Sequence, residues 1–134
     1  MVTNNGAAAY DDGVSVTVAL DALRARVEEF GSIAFLLTVG ESARPHVVSV
    51  GVEWDADRLV AGAGRTTSAN VGRRPTVSLL WAAPEAGEYA LIVDGAAAIE
   101  TRDETAVVVI EPSRAVLHRV ASATGQGPSC VTVL

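Results

Sequence analysis

GAGRTTSANVGRRPTVSLLW, residues 62–81, reads as strand, turn, short helix, strand. Small residues end one strand at 62–64. Arg65, Thr66, Thr67 and Ser68 follow, and the three hydroxyl residues are all favoured at helix N-caps. A short polar helix runs through Asn70, Arg73 and Arg74 until Pro75 stops it. Val77 to Trp81 is then a second strand. A helix N-terminus offers unpaired amide N–H groups and the positive end of a dipole, which with hydroxyls and an arginine makes an anion site. Arg65 or Arg74 can give a phosphate a two-pronged hydrogen bond. An ordinary capped surface helix with solvated arginines accounts for the same residues and is the commoner arrangement.

Outward from this stretch the chain reads as β. Ile33 to Val39 is an apolar run, and GESARP, residues 40–45, is a turn. Val47 to Trp54 alternates, with Val48, Val50, Val52 and Trp54 on one face and Val47, Ser49, Gly51 and Glu53 on the other. If the first set points into a barrel, the second leaves a flat wall on which a planar ring can lie, with Ser49 as a hydrogen-bond donor to its edge. Packing against a helix or a second subunit accounts equally well for small outward residues.

Asp55-Ala56-Asp57 is a hairpin turn, and Leu59 to Gly64 the next strand. Tyr89 to Glu100 is a long strand whose middle, Asp94 to Ala98, has almost no side-chain bulk. That fits a sharply bent barrel strand, or a place where something flat meets the backbone. After a turn at 101–104 come Ala106 to Ile110 and, past Pro112, Arg114 to Leu117. Leu20, Leu23, Val27 and Phe30 recur at helical spacing ahead of all this, with Gly31 placed as a C-cap. Strands joined by tight turns, with one or two short helices, predict a mostly β fold: a six-stranded antiparallel barrel, whose closure removes sheet edges.

The 134 residues suit one domain, with residues 1–13 flexible and 119–134 a C-terminal tail. At 49% hydrophobic and 19% charged the chain is globular. No apolar run is long enough to span a membrane and the N-terminus has no signal-peptide pattern, so a soluble cytoplasmic protein is expected. The net charge is −6, and few aromatics and no basic run argue against a nucleic-acid partner. Cys130 is the single cysteine, which excludes an internal disulfide and a cysteine-rich metal site. His46 and His118 lack neighbours at metal-ligand spacing, and His46 reads as structural or solvent-facing. There is no GxSxG elbow, and GAG at 62–64 is no dinucleotide fingerprint.

In their order, the hairpin T-V-G…R-P-H (38–46), the turn W-D-x-D-R-L (54–59), the segment N-x-x-R-R-P-x-V-S-L (70–79) and the strand V-x-G-x-A (93–97) resemble the pyridoxamine 5′-phosphate oxidase-like family of FMN-binding split barrels, which includes deazaflavin-dependent reductases. The resemblance covers residues 20–100, more loosely to 118. It implies a homodimer of split barrels with FMN, or alternatively a deazaflavin, at the subunit interface. By position, Val47, Val48, Ser49 and Val50 would line the ring. Arg65, Thr66, Thr67 and Ser68 would sit by the phosphate, with Asn70 and Arg74 on the supporting helix, and Trp81 would reach the partner's site.

Thr67 stands where family members that bind FMN well commonly carry a lysine, and this chain has no lysine at all. The longer C-terminal part of the vitamin-forming oxidases is also missing, so formation of pyridoxal phosphate is not expected. A flavin- or deazaflavin-dependent oxidoreductase is the leading reading. The alternatives are a non-catalytic module holding flavin or haem, and a scaffold dimer with no cofactor.

Overall fold

The structure, a computed structural model, describes residues 13–121. Of the flexible segment expected at 1–13 and the tail expected at 119–134, residues 1–12 and 122–134, with Cys130, lie outside the described residues. The chain runs β1 (Val14–Val18), a 3-10 turn (Leu20–Ala22), α1 (Leu23–Phe30), β2 (Ile33–Val39), β3 (Pro45–Asp55), β4 (Arg58–Gly62), α2 (Arg65–Arg73), β5 (Thr76–Trp81), β6 (Ala90–Arg102) and β7 (Thr105–Arg119). All strand pairings are antiparallel. The order β7-β4-β3-β2-β5-β6 closes through β6–β7 into the expected six-stranded barrel, and β1 adds to the far end of β7 outside it.

Alternation along the strands builds the core. Ala34, Leu36 and Thr38 point inward from β2, Val77, Leu79 and Trp81 from β5, and Leu91 and Val93 from β6. Each large apolar side chain removed from water contributes about 1.5–3 kcal/mol. The α1 helix closes the barrel with Leu23 and Val27 one turn apart. It ends at Gly31, whose φ of 102° favours glycine and whose N–H bonds to the Val27 carbonyl. Leu20, read as part of this apolar stripe, is instead exposed on the 3-10 turn.

The side-chain-poor middle of β6 is where two backbones meet. A Cβ on Gly95 would stand 2.5 Å from the Glu111 carbonyl oxygen. The register slips at Asp94/Gly95, so β7 bulges at Ser113 rather than breaking at Pro112. The Asp94 carboxylate takes hydrogen bonds from Ser78 Oγ (2.6 Å) and Arg114 Nη1 (3.1 Å), and Ser113 Oγ donates to the Asp94 carbonyl (3.2 Å), which pins the bulge.

Candidate functional site

The barrel has a split along β3. Residues 45–51 pair with β2, but only 52–55 pair with β4. Beyond Gly62 the chain leaves the sheet and turns into α2, so no strand covers the second edge of 45–51 among the described residues. Half of that edge's backbone N–H and C=O groups are free to bond something flat laid beside them. Side chains alternate here as expected. Val47, Ser49 and Gly51 are exposed, while Val48 and Val50 pack against the core. Of the residues expected to line a ring, Val47 and Ser49 offer both side chains and the free backbone edge, whereas the backbone groups of Val48 and Val50 face β2.

The helix beside the split starts at least two residues earlier than the hydroxyl caps at 66–68 implied. Its N-cap is Gly64, in an extended conformation, with no side-chain cap bond. Arg65, Thr66, Thr67 and Ser68 thus form the first turn rather than the cap. The Ser68 N–H bonds to the Gly64 carbonyl at 2.9 Å, which leaves the N–H groups of 65–67 without helical partners. Arg65 and Thr66 are exposed and Ser68 is half-buried. The Arg65 side chain makes no hydrogen bond or ion pair among the described residues. Thr67, Asn70 and Val71, at helical spacing, face the barrel; Thr67 is 3% exposed and Asn70 6%.

Helix α2 is bolted to the β2–β3 turn. Asn70 Nδ2 donates to Thr38 Oγ1 at 3.0 Å inside the barrel end. Arg74 Nη1 donates to the Gly40 carbonyl at 2.8 Å, and Arg73 pairs with Glu41 at 2.8 Å. Arg74 is the C-cap, so it stands about 13 Å along the axis from Arg65. The two do not converge on one phosphate, and Arg74 acts on the turn. Trp81 also differs from expectation. It is 1% exposed, and its indole N–H donates to the Gly31 carbonyl at 2.9 Å, so it belongs to this protomer's core and does not reach outward.

Cavities among the described residues flank the barrel. One, about 500 Å³, lies by α1, where the Arg24 guanidinium sits 4.7 Å over the Trp54 ring and donates to the Ala56 carbonyl at 2.6 Å. Another, about 520 Å³, opens between the β2–β3 turn and α2, with Arg44 and His46 on one side and Thr66 and Asn70 on the other. His46 Nδ1 is buried there without a partner. Sequence reasoning left Arg44 and His46 out of the site. The signal was present, since His46 has the same parity as the inward residues Val48, Val50 and Val52.

The outer face of β2 and β3 carries a contiguous apolar patch. Ile33 (64% exposed), Phe35 (38%) and Val47 (53%) lie on it, tied by the register pairs Ile33↔Gly51, Phe35↔Ser49 and Leu37↔Val47. No helix of the described residues is long and apolar enough to cross a membrane.

No protein-family model matches the chain. Two uncharacterized proteins, Mb0449c of Mycobacterium bovis and MT0457 of Mycobacterium tuberculosis, are each 35% identical to it across 66% of this chain and 72% of their own length. Among solved structures it is similar to a putative pyridoxamine 5′-phosphate oxidase from Listeria innocua, with a TM-score of 0.62 and 19% identity over 73% of this chain and 96% of that one. An F420 reductase aligns with a TM-score of 0.52 and 17% identity, over 62% of this chain and 87% of that one. HutZ, the heme storage protein of Vibrio cholerae, aligns at 0.59 and 14% identity, over 74% and 96%. The closed six-stranded barrel, the split beside β3 and these likenesses lead to one conclusion: the chain belongs to one family with the two mycobacterial proteins, built on the split barrel of the pyridoxamine 5′-phosphate oxidase-like proteins.

Proposed function

We propose that this chain is a small cytoplasmic oxidoreductase that holds FMN or a deazaflavin in the split beside β3, at the interface of a homodimer. The observation that carries the reading is the uncovered edge of residues 45–51, next to the exposed, unpartnered Arg65 at the start of α2. Val47, Ser49 and Gly51 form a low wall for a planar ring, and the free backbone edge can hydrogen-bond its rim. Arg65, the free N–H groups of 65–67 and the Thr66 hydroxyl suit a ribityl phosphate. Thr67 points into the barrel and adds no cation, so the phosphate grip is weaker than one with a lysine there.

When bound, a flavin or deazaflavin supplies hydride transfer, and the chain's part is to bind, orient and exclude water. Neighbours in fold that bear the names pyridoxamine 5′-phosphate oxidase and F420 reductase support that chemistry. The apolar patch of Ile33, Phe35 and Val47 supports a second copy over the same face, which would wall the ring's other side.

The test is a visible spectrum of the purified protein, followed by titration with FMN, a deazaflavin and hemin. Micromolar binding of FMN or the deazaflavin is expected, weakened about tenfold in Arg65→Gln, the loss of a charge-assisted bond. Binding of neither at micromolar concentrations sinks the proposal, and binding of hemin alone replaces it with a haem-holding module.

A further inference from the structure

We infer that Arg74 is a positioning residue for the split: by holding the Gly40 carbonyl it sets where the open edge of β3 begins, and so acts on the ring of a bound flavin rather than on its phosphate. The ligand rests on the cofactor reading above; the hold on the edge does not. The split has two walls, the edge of residues 45–51 and the first turn of α2. The second wall is fixed where the chain leaves β4, since the Ala63 N–H bonds to the Ala106 carbonyl at 3.1 Å. The first is fixed on its β2 side by the ladder, which continues past the strand ends to join the Gly40 N–H to the Arg44 carbonyl at 2.8 Å. Arg44 is followed by Pro45, the first residue of the open edge. Arg74 Nη1 donates to the Gly40 carbonyl at 2.8 Å, so a chain of hydrogen bonds runs from α2 to the start of that edge.

The turn between β2 and β3 needs such a hold. Ser42 and Ala43 have φ of 57° and 58°, a left-handed conformation that residues with side chains rarely adopt. Backbone strain of this kind persists only where surrounding contacts over-determine it. Among the described residues three side-chain ties join α2 to the end of β2 and the turn, and they are not equivalent. Asn70 bonds to Thr38, inside the barrel end and ahead of the turn. Arg73 pairs with Glu41, but their side chains are 50% and 75% exposed, so solvent screens the pair. The tie from Arg74 to Gly40 is partly buried, charge-assisted and made to the turn's own backbone. It is also the one bond of the Arg74 side chain among the described residues. Arg74 caps the end of α2 opposite Arg65, so its guanidinium, turned to Gly40, is not available to a phosphate at the first turn.

Two measurements on the full chain test this. In the first, amide hydrogen exchange is read by NMR with no cofactor present. Arg74→Ala should speed exchange at the Gly40 and Arg44 amides about tenfold, the share of one charge-assisted bond, and leave the Ser68 amide in α2 unchanged. In the second, FMN and riboflavin are titrated in parallel. Arg74→Ala should weaken both by one common factor of about ten, whereas Arg65→Gln should weaken FMN alone. Arg74→Lys keeps a donor for the Gly40 carbonyl and should recover most of both effects; a lysine variant as loose as the alanine one, at equal stability, counts against the role. The inference is overturned if exchange at Gly40 and Arg44 is unchanged in Arg74→Ala, or if Ser68 speeds up as much as they do, which would make Arg74 a support of the whole fold. It is also overturned if Arg74→Ala keeps its riboflavin affinity, and loss of FMN affinity alone would put Arg74 on the phosphate. A parent protein that binds neither flavin sinks the cofactor reading instead, and exchange at Gly40 and Arg44 then decides by itself whether Arg74 holds the edge.

Discussion

Gly40 lies so close to Asn70 that a Cβ on the glycine would stand 2.8 Å from the Asn70 Oδ1. Asn70 is in turn bonded to Thr38 inside the barrel end. The helix beside the split is therefore seated by a glycine that yields space and an amide that uses it. Gly40 has φ of −100°, which any residue tolerates, so only the contact demands glycine.

Gly40→Ala should therefore destabilise the protein by about 1–3 kcal/mol, the usual cost of crowding a packed site. Asn70→Ala should cost a similar amount by leaving Thr38 Oγ1 without its donor. In the double variant the crowding term disappears, so the two losses should add to clearly more than the measured total. Urea unfolding of the four proteins forms the cycle, and strict additivity would show that the contact carries no energy.

Gly95→Ala should be worse than Gly40→Ala. The atom it meets, the Glu111 carbonyl oxygen at 2.5 Å, is backbone in a paired strand and cannot swing aside as a side-chain amide can. A loss of about 3 kcal/mol or more is expected, at the upper end for overpacking. Equal denaturation midpoints for the two variants would count against a tight β6–β7 approach.

Trp81→Phe removes the indole N–H that bonds to the Gly31 carbonyl, and should lower stability by about 1–2 kcal/mol. Trp81→Ala should cost about 3–5 kcal/mol. Neither should change cofactor affinity at matched folded fraction. A selective loss of affinity in Trp81→Phe, with unfolding unchanged, would return Trp81 to the site.

Phe35→Asp sets a charge in the middle of the exposed patch on β2 and β3, where it faces solvent in one protomer. The hypothesis of a homodimer over this face predicts dimer mass for the parent protein by light scattering and monomer mass for the variant. A parent that runs as a monomer at high concentration would refute it.

Much of the barrel was legible because period-two patterns and turn residues are local. β2 appears at its expected bounds, Asp55-Ala56-Asp57 turns the hairpin, and Pro75 ends the second helix's segment. β1 was not legible. Val14–Val18 is short and nearly all exposed, and only its pairing with distant β7 makes it a strand. The continuity of β7 through Pro112 was hidden for the same reason, since a bulge is defined by its partner strand.

At the site, the exposed wall of Val47 and Ser49 could be read from alternation alone. The roles of Thr67, Arg74 and Trp81 could not, because each depends on a contact far away in sequence. The hydroxyl run 66–68 fitted a cap equally well two or more residues later than the true one, Gly64. Whether Arg74 meets a ligand or Gly40 is decided by how the β2–β3 turn folds back on α2.

β7 pairs with β1, β4 and β6, more partners than any other strand among those described. A nascent chain that has released everything through β6 still holds an open sheet, with the edges of β4 and β6 exposed. Closure waits for the last described strand, so until β7 is in place the edges of β4 and β6 are bare. The closure of the barrel thus rests on β7 rather than on the helix beside the split.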